Sequence, residues 1–186
     1  MTRPKARRPS RTEAGDGLSR LWAPWRARYV RKAGAPGEKG CIFCFGDLGA
    51  AARRRRLVLY AGPVALVMLN RYPYNNGHLM VAPRRHVASP ELLSPEERAM
   101  LGEVVAASLD ILRRAFNPAG FNLGANLGRV AGAGIADHMH WHAVPRWDGD
   151  TNFMTVLASS RVLSEDLDAS FARLNPLFKA LKAPLS

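Results

Sequence analysis

Three histidines at alternating positions are the residues of this chain best suited to chemistry. His138, His140 and His142 are three of the five histidines among 186 residues. Side chains two positions apart share a face of a β-strand, so a strand here would set three imidazoles in a row. The residues that would then face a core are Met139, Trp141 and Ala143. Three imidazoles on one face indicate a functional site, because imidazole can act as nucleophile, acid, base or metal ligand near neutral pH.

Two chemistries are compatible with this row of imidazoles. In the first, all three histidines bind one zinc ion, which activates a water molecule for hydrolysis. In the second, one imidazole attacks the substrate as a nucleophile while its neighbours support it. The spacing fits both chemistries, so the choice depends on the residues around the row.

A second candidate site is the pair Cys41 and Cys44, which form a Cys-x-x-Cys arrangement. Such a pair can be a redox couple, a disulfide or half of a zinc site, and it can also be two small buried thiols. A redox couple of the thioredoxin kind should lie in a βαβ unit, and the sequence pattern does not predict one. A zinc site needs about four nitrogen or sulfur ligands. His86 and His138 are candidates for the two that remain.

A polar and glycine-rich stretch precedes the three histidines. Asn122, Gly124 and Asn126 alternate with apolar residues, so on a strand they would share one face and leave room for a ligand. The amide of Asn126 can bond a phosphate or a ribose. The loop at 129–134, which contains Gly132 and Gly134, offers flexible backbone N–H groups that suit phosphate oxygens.

Short strands and one long helix are predicted to position these residues. The predicted strands are 57–60 and 64–69, which form a hairpin, 78–82, which Pro83 ends, 121–127, and the histidine segment, which Pro145 ends. Ser94, Pro95 and Glu97 are typical of a helix start, and apolar residues at helical spacing continue that helix to about Phe116.

The remaining segments complete the predicted fold class. Residues 46–56 are predicted to be a loop, and Ser164 is predicted to cap a C-terminal helix that is interrupted or bent at Pro176. The pattern of strands, one long helix and further strands does not follow βαβ alternation. We therefore expect an α+β fold in which an antiparallel sheet carries the long helix on one face, with a C-terminal helix added.

Composition bounds the class of protein. The chain has 47% hydrophobic residues and two cysteines, and no apolar run approaches the length of a membrane span. The start of the sequence lacks the apolar core of a secretory signal, so a cytoplasmic protein is expected, although an arginine-rich, acid-poor start also fits an organelle transit peptide. We expect a disordered basic tail at 1–17, one domain at 18–160 and a helical extension at 161–186.

The net charge of +12 is concentrated in two places. Residues 1–32 contribute +8 and the four arginines at 53–56 contribute +4, so the remainder is neutral. A tail of this composition can attract RNA or polyphosphate without specificity. A solvated tail is the favoured interpretation, so nucleic acid is not the expected main partner.

The histidine segment resembles the motif of the histidine triad (HIT) superfamily, His-x-His-x-His-x-x with apolar x. The resemblance implies nucleotidyl transfer or hydrolysis, with His140 as nucleophile and His142 stabilising charge on the phosphoryl oxygens. It also implies a homodimer. The residues that correspond to nucleotide-binding positions are Asn70 near the ribose, His78 near the phosphates, and Asn126, Gly132 and Gly134. Many HIT proteins have glutamine or serine in the position that Gly134 occupies here, which alters the expected phosphate contacts.

Zinc-containing HIT proteins carry an N-terminal Cys-x-x-Cys, and the present sequence is similar to them. That resemblance implies a zinc ion with a structural role, held by Cys41, Cys44, His86 and His138. Four features together resemble bacterial diadenosine tetraphosphate phosphorylases. They are the aromatic segment 21–26, the Cys-x-x-Cys, residues 126–128 and residues 145–147.

The expected function is therefore cleavage of dinucleoside polyphosphates through a covalent nucleotidyl-histidine, with phosphate or water as acceptor. Three alternatives remain at this point. They are a trihistidine metallohydrolase, a basic zinc module that binds nucleic acid, and a HIT enzyme that acts on adenylated DNA ends.

Overall fold

A five-stranded antiparallel sheet carries the histidine segment in this computed structural model, which describes residues 40–150 and 165–181. The strands are β1 (Val58–Ala61), β2 (Ala65–Leu69), β3 (Leu79–Pro83), β4 (Gly120–Ala125) and β5 (Trp141–Arg146). Their order across the sheet is β1-β2-β3-β5-β4, and all four neighbouring pairs are antiparallel. The helices are α1 (Ala50–Arg56), α2 (Pro95–Phe116) and α3 (Leu167–Lys179). The predicted α+β architecture is confirmed.

The long helix begins and ends where its sequence predicts. The Ser94 side chain accepts a hydrogen bond from the backbone N–H of Glu97, and the Glu97 carboxylate accepts one from the N–H of Ser94, at 3.2 and 2.7 Å. This reciprocal pair satisfies two N–H groups that the first helical turn leaves without partners. At the other end Asn117 adopts a left-handed conformation with φ 46°, which ends the helix.

The two faces of the sheet are both covered. The buried residues of β2 divide by alternation, so that Val67 packs under α2 and α3 while Leu66 faces the other way. We call the first group the helix-side core, and α3 belongs to it through Phe171, Leu174 and Phe178. We call the second group the opposite-face cluster; its buried members are Phe43, Val58, Leu66, Met68, Met80 and Ala82.

Three predicted boundaries were wrong. Residues 50–56 form α1 rather than a loop, because alanine and arginine favour helix and arginines near the C-terminus complement the helix dipole. β5 begins at Trp141 rather than at the first histidine, because its pairing with both neighbouring strands stops there, opposite Val81 of β3 and Ala125 of β4. Pro145 does not end β5, since the pairing with β3 covers only residues up to Ala143 and Pro145 pairs with Phe121 of β4.

The other boundaries differ by less. β4 ends at Ala125, two residues before the predicted end. Asp166 caps α3 by accepting from the N–H of Ala169 at 2.7 Å, and the predicted cap, Ser164, lies outside the described residues. Pro176 lies inside α3, which continues to Lys179. The predicted disordered tail at 1–17 and the aromatic segment at 21–26 also lie outside the described residues.

No helix in the described part of the chain is long and apolar enough to cross a membrane.

Candidate active site and metal site

The histidine segment enters the sheet only at its last member. His142 belongs to β5, whereas His138 and His140 lie on the chain just before it. The predicted alternation nevertheless holds, because the rings of His138 and His140 pack on Phe43 with centroid separations of 5.1 and 4.9 Å. The intervening residues in the helix-side core are Met139, Trp141 and Ala143. The three imidazoles therefore share the face opposite α2.

His138 is part of a compact group of sulfur and nitrogen atoms. Its Nδ1 lies 3.3 Å from Sγ of Cys41 and 3.2 Å from Nδ1 of His86. Sγ of Cys44 lies 3.1 Å from Nδ1 of His86 and 3.5 Å from Nδ1 of His138. All four ligand atoms lie within 4.8 Å of one another. The four residues that the sequence predicted as metal ligands are thus brought together by the fold.

The donor set fits a tetrahedral zinc ion. Zinc bonds of about 2.0–2.3 Å give ligand separations of roughly 3.3–3.8 Å in a tetrahedron, close to those of this group. The Nε2 of His138 lies 2.9 Å from the carbonyl oxygen of Pro83, to which it donates. That bond leaves Nδ1 as the unprotonated nitrogen that faces the thiols, as a metal-binding histidine requires. These residues can hold a metal ion. Cys41 and Cys44 are free thiols in this structure and are not joined by a disulfide.

His140 is held in a defined tautomer by a backbone hydrogen bond. Its Nδ1 donates a hydrogen bond to the carbonyl oxygen of His138 at 3.1 Å, so its Nε2 keeps a lone pair. The side chain is only 5% exposed, and burial lowers its pKa below the ordinary value, which outweighs the opposite effect of the bond to His138. A neutral imidazole with a free Nε2 lone pair is a nucleophile.

A hydrogen bond from His78, which is fully buried, fixes the tautomer of His142. The backbone N–H of Tyr74 donates to Nδ1 of His78 at 3.0 Å, so His78 carries its proton on Nε2. That Nε2–H donates to Nδ1 of His142 at 2.9 Å. The proton of His142 is consequently on Nε2. Burial, with a smaller contribution from neighbouring His140, lowers the pKa of His142 to about 4.

The two working histidines therefore offer complementary groups. The rings of His140 and His142 meet edge to face, with centroids 4.8 Å apart. His140 offers a lone pair and His142 offers an N–H donor. Gly124 of β4 pairs with His142 across the sheet, and a side chain added there would meet nothing within 4 Å. The site is open beside His142, as the small residues of β4 predicted.

The turn between β2 and β3 fixes His78. Asn70 is 6% exposed; its side-chain oxygen accepts from the N–H of Tyr72 at 2.9 Å and its Nδ2 lies 3.4 Å from Nδ1 of His78. Gly77 has φ 69°, and a Cβ there would lie 2.9 Å from the Phe116 ring, so this position requires glycine. Asn70 thus holds the turn and helps orient His78, while its predicted ribose contact stays a prediction.

The glycine-rich loop is closed by an amide. Nδ2 of Asn126 donates to the carbonyl oxygen of Gly132 at 3.4 Å, and both Gly128 and Gly132 have positive φ, 79° and 89°. Gly134 is exposed. The loop directly precedes the histidine segment. The predicted contacts of Asn126, Gly132 and Gly134 with a ligand are not tested by this arrangement and stay predictions.

Three contributors were missed by the sequence analysis. Phe43 packs on two of the histidines, and its place between the two cysteines could have indicated this. The Tyr74 ring lies 4.7 Å from the His78 ring and 6.1 Å from that of His142, and the aromatic turn residues carried that signal. The carbonyl of Pro83 orients His138, but a backbone group leaves no trace in a sequence.

A single metal held by all three histidines of the row is not what the fold builds. Within residues 40–150 and 165–181, one group of ligands converges, and it contains His138 but neither His140 nor His142. Nδ1 of His140 donates to the carbonyl oxygen of His138, and Nδ1 of His142 accepts from Nε2 of His78. The geometry separates the row into one metal-site residue and two residues free for other chemistry.

Comparisons with known proteins place the chain in a family. The family model of the HIT domain matches residues 53–149. The chain is 37% identical over 154 residues to AP-4-A phosphorylase of Mycobacterium tuberculosis, which covers 81% of this chain and 79% of the relative. It is 30% identical over 109 residues to adenosine 5'-monophosphoramidase hnt1 of Schizosaccharomyces pombe, covering 57% of this chain and 74% of the relative.

Solved structures include a zinc-bound histidine triad family protein from Mycobacterium smegmatis. It is similar with a TM-score of 0.54 and 26% identity, covering 66% of this chain and 84% of that chain. The presence of zinc is a property of that protein, and the Cys-His group described above is the corresponding candidate here.

Proposed function

Since the chain belongs to the HIT domain family and is a nucleotidyltransferase or hydrolase, we propose that it cleaves dinucleoside polyphosphates such as diadenosine tetraphosphate. The observation that carries the proposal is the lone pair on Nε2 of His140, which the bond from its Nδ1 to the His138 carbonyl leaves free beside the N–H of His142. The similarity to AP-4-A phosphorylase supports this substrate class.

The first step transfers a nucleotidyl group to the protein. Nε2 of His140 attacks the α-phosphorus, a P–N bond forms, and the P–O bond to the remaining polyphosphate breaks with its electron pair on the leaving oxygen. The Nε2–H of His142 donates to a phosphoryl oxygen, where negative charge develops. His78 holds His142 in the tautomer that makes this donation.

The second step regenerates the histidine. Inorganic phosphate or water attacks the phosphorus, the P–N bond breaks, and Nε2 of His140 recovers its lone pair. With phosphate as acceptor, diadenosine tetraphosphate gives ADP and ATP. With water, it gives AMP and ATP. We propose phosphate as the preferred acceptor, in line with the relative's name.

Zinc is the metal proposed for Cys41, Cys44, His86 and His138, because two thiols and two imidazole nitrogens within 4.8 Å suit that ion. When bound it supplies structural cross-linking rather than catalysis. The chain contributes His138 as a ligand, and the carbonyl of that same residue orients His140. The metal site and the nucleophile are thereby coupled through one residue.

The homodimer and the cytoplasmic location are parts of the same proposal. β4 lies at the edge of the sheet and exposes Leu123, which is 45% accessible, so a second copy can pair with it. Sedimentation equilibrium would show a mass of one chain if this is wrong. Free cysteines that bind metal are typical of a reducing compartment.

The products distinguish the two acceptors. We expect diadenosine tetraphosphate incubated with the protein and inorganic phosphate to yield equal amounts of ADP and ATP, measured by mass spectrometry. Phosphate labelled with ¹⁸O should place label in the β-phosphate of ADP. Release of AMP at the same rate with and without phosphate would show hydrolysis, and no cleavage of any dinucleoside polyphosphate would overturn the substrate class.

Replacing His78 should impair the chemical step without touching the nucleophile. His78→Ala removes the donor that fixes the tautomer of His142, so we expect the single-turnover rate constant to fall roughly 10- to 100-fold. Tyr74→Phe is the matched control, because the backbone N–H that orients His78 is retained and the rate should stay near normal. Equal rates for His78→Ala and the wild type would contradict the proposed proton arrangement.

The lowered pKa of His142 predicts a pH-dependent stability. The folded protein holds this imidazole neutral down to about pH 4, whereas the unfolded chain protonates it near pH 6.5. Between those values the unfolded state binds more protons, so the free energy of unfolding should fall as the pH drops through this window. Urea denaturation at pH 7.5 and 5.0 should show a larger loss in the wild type than in His142→Asn; equal losses would count against it.

A further inference from the structure

A cleft of about 330 Å³ lies away from the histidines, between residues 45–48, helix α1 and the turn that joins β1 to β2. Arg53 and Arg84 line it, together with Phe45 and Asp47. The proposed mechanism uses none of these side chains. His140 and His142 are not among the described residues that line the cleft.

Two guanidinium groups line this cleft, and that of Arg56 lies beside it over the Phe45 ring. Arg84 lies over the Phe45 ring with its guanidinium carbon 5.2 Å from the centroid, and the guanidinium of Arg56 lies 5.9 Å from the same ring. Arg53 is held beside them by the bond from its Nε to the carbonyl oxygen of Leu48 at 3.1 Å. The three arginines are therefore positioned by backbone carbonyls and by the Phe45 ring rather than by carboxylates.

The positive charge of the cleft is poorly compensated within the described parts of the chain. Asp47 is the one carboxylate among the described lining residues, and neither Arg53 nor Arg84 forms a described ion pair. Nη2 of Arg84 donates a hydrogen bond to the carbonyl oxygen of Phe45 at 3.0 Å, while Nη1 of the same side chain is buried without an acceptor. A buried N–H group without a partner is unfavourable, and an unpaired one in a native fold points to an ion or water.

We propose that this cleft is a second anion site, which binds a phosphate group through Arg53 and Arg84. A guanidinium presents several N–H donors in one plane, which match phosphate oxygens in pairs. The preformed positions of the arginines reduce the entropy lost on binding. The phosphate can be free inorganic phosphate or the end of a nucleoside polyphosphate, since both present the same dianionic group.

Binding of inorganic phosphate, measured by calorimetry on the zinc-loaded full chain with saturating AMP in the histidine site, tests the proposal. We expect wild-type binding to persist under AMP and to weaken roughly tenfold or more in Arg53→Met and Arg84→Met. Arg55→Met is the matched control on the same helix, since Arg55 is exposed and does not line the cleft. Its binding should equal that of the wild type.

Further arms identify the source of the phosphate and guard against misfolding. If the terminal phosphates of a nucleotide occupy the cleft, ATP titrated under the same conditions will lose affinity in both variants, while free phosphate will not bind even the wild type. Arg84→Met could disturb the nearby metal ligands, so Arg84→Lys is measured as well. Because lysine keeps the positive charge, this variant should retain part of the affinity for phosphate. Affinities for phosphate and ATP that are unchanged in both arginine variants would overturn the proposal. The AMP arm rests on the proposed function, but the titration involves no turnover, so a loss of phosphate binding and a failure of dinucleotide cleavage are distinguishable.

Discussion

Replacing His140 by alanine is expected to reduce turnover of a dinucleoside polyphosphate on the order of 10⁴-fold or more, because the variant lacks the atom that bonds to phosphorus. Neither neighbour can substitute for it. His138 directs Nδ1 toward the thiols and Nε2 toward Pro83, and His142 directs its N–H outward. Rapid quenching of the wild type with substrate labelled in the α-phosphate should trap label on His140.

Two companion variants separate chemistry from structure. His140 is 5% exposed and packs on Phe43, so His140→Ala leaves a cavity, whereas His140→Gln preserves most of the volume. Both should lose turnover, while the thermal unfolding of His140→Gln should stay close to the wild type. In His140→Gly, added imidazole should restore part of the cleavage. Labelled protein or near-normal turnover in either variant would show that another group is the nucleophile.

The sequence predicted the shared face of the three histidines but not the residue at which their strand begins. Alternation predicted that they share a face, and this holds because the residues between them are apolar and pack into the helix-side core. Alternation did not predict that β5 starts only at Trp141. That boundary depends on where pairing with the neighbouring strands stops, at Val81 and Ala125, and this is a property of other segments.

The ends of helices and turns could be predicted from local residue types, whereas the tautomers of the histidines depend on contacts with backbone groups. The cap at Ser94 and the turn at Gly77 follow from residue type and could be predicted. The tautomers could not, because they depend on the carbonyls of Pro83 and His138 and on the N–H of Tyr74. Every residue has those groups, so their effect on a histidine becomes visible only with the fold.

Helix α1 also depends on contacts that the sequence could not predict. The segment 46–56, which ends in four consecutive arginines, is predicted from the sequence to be a loop. Arg54 instead bonds Asp168 of α3 at 3.0 Å, and Arg53 and Arg56 contact Leu48 and Phe45. The partner in α3 lies 114 positions away in the sequence, so composition alone could not predict how the run is accommodated.

Removing one thiol of the Cys-His group is the second change with a large expected effect. Cys41→Ser should lower the zinc content from one ion per chain to near zero at low free zinc, because serine is a poor zinc ligand. The metal would join residues 41–44 to His86 and His138, so its loss should also lower Tm by roughly 5–10 °C, at about 2–4 °C for each kcal/mol. Elemental analysis and thermal unfolding measure the two effects.

The controls exploit the separation between His138 and the other two histidines. His142→Asn should retain one zinc per chain, because its imidazole is bonded to His78 rather than to the thiols. His138→Asn should lose zinc and also weaken cleavage, since the shift of residue 138 moves the carbonyl that orients His140. Metal-free wild-type protein, purified under reducing conditions and as stable as a zinc-treated sample, would exclude the structural zinc site. A disulfide formed reversibly in that protein would favour the redox interpretation of Cys41 and Cys44.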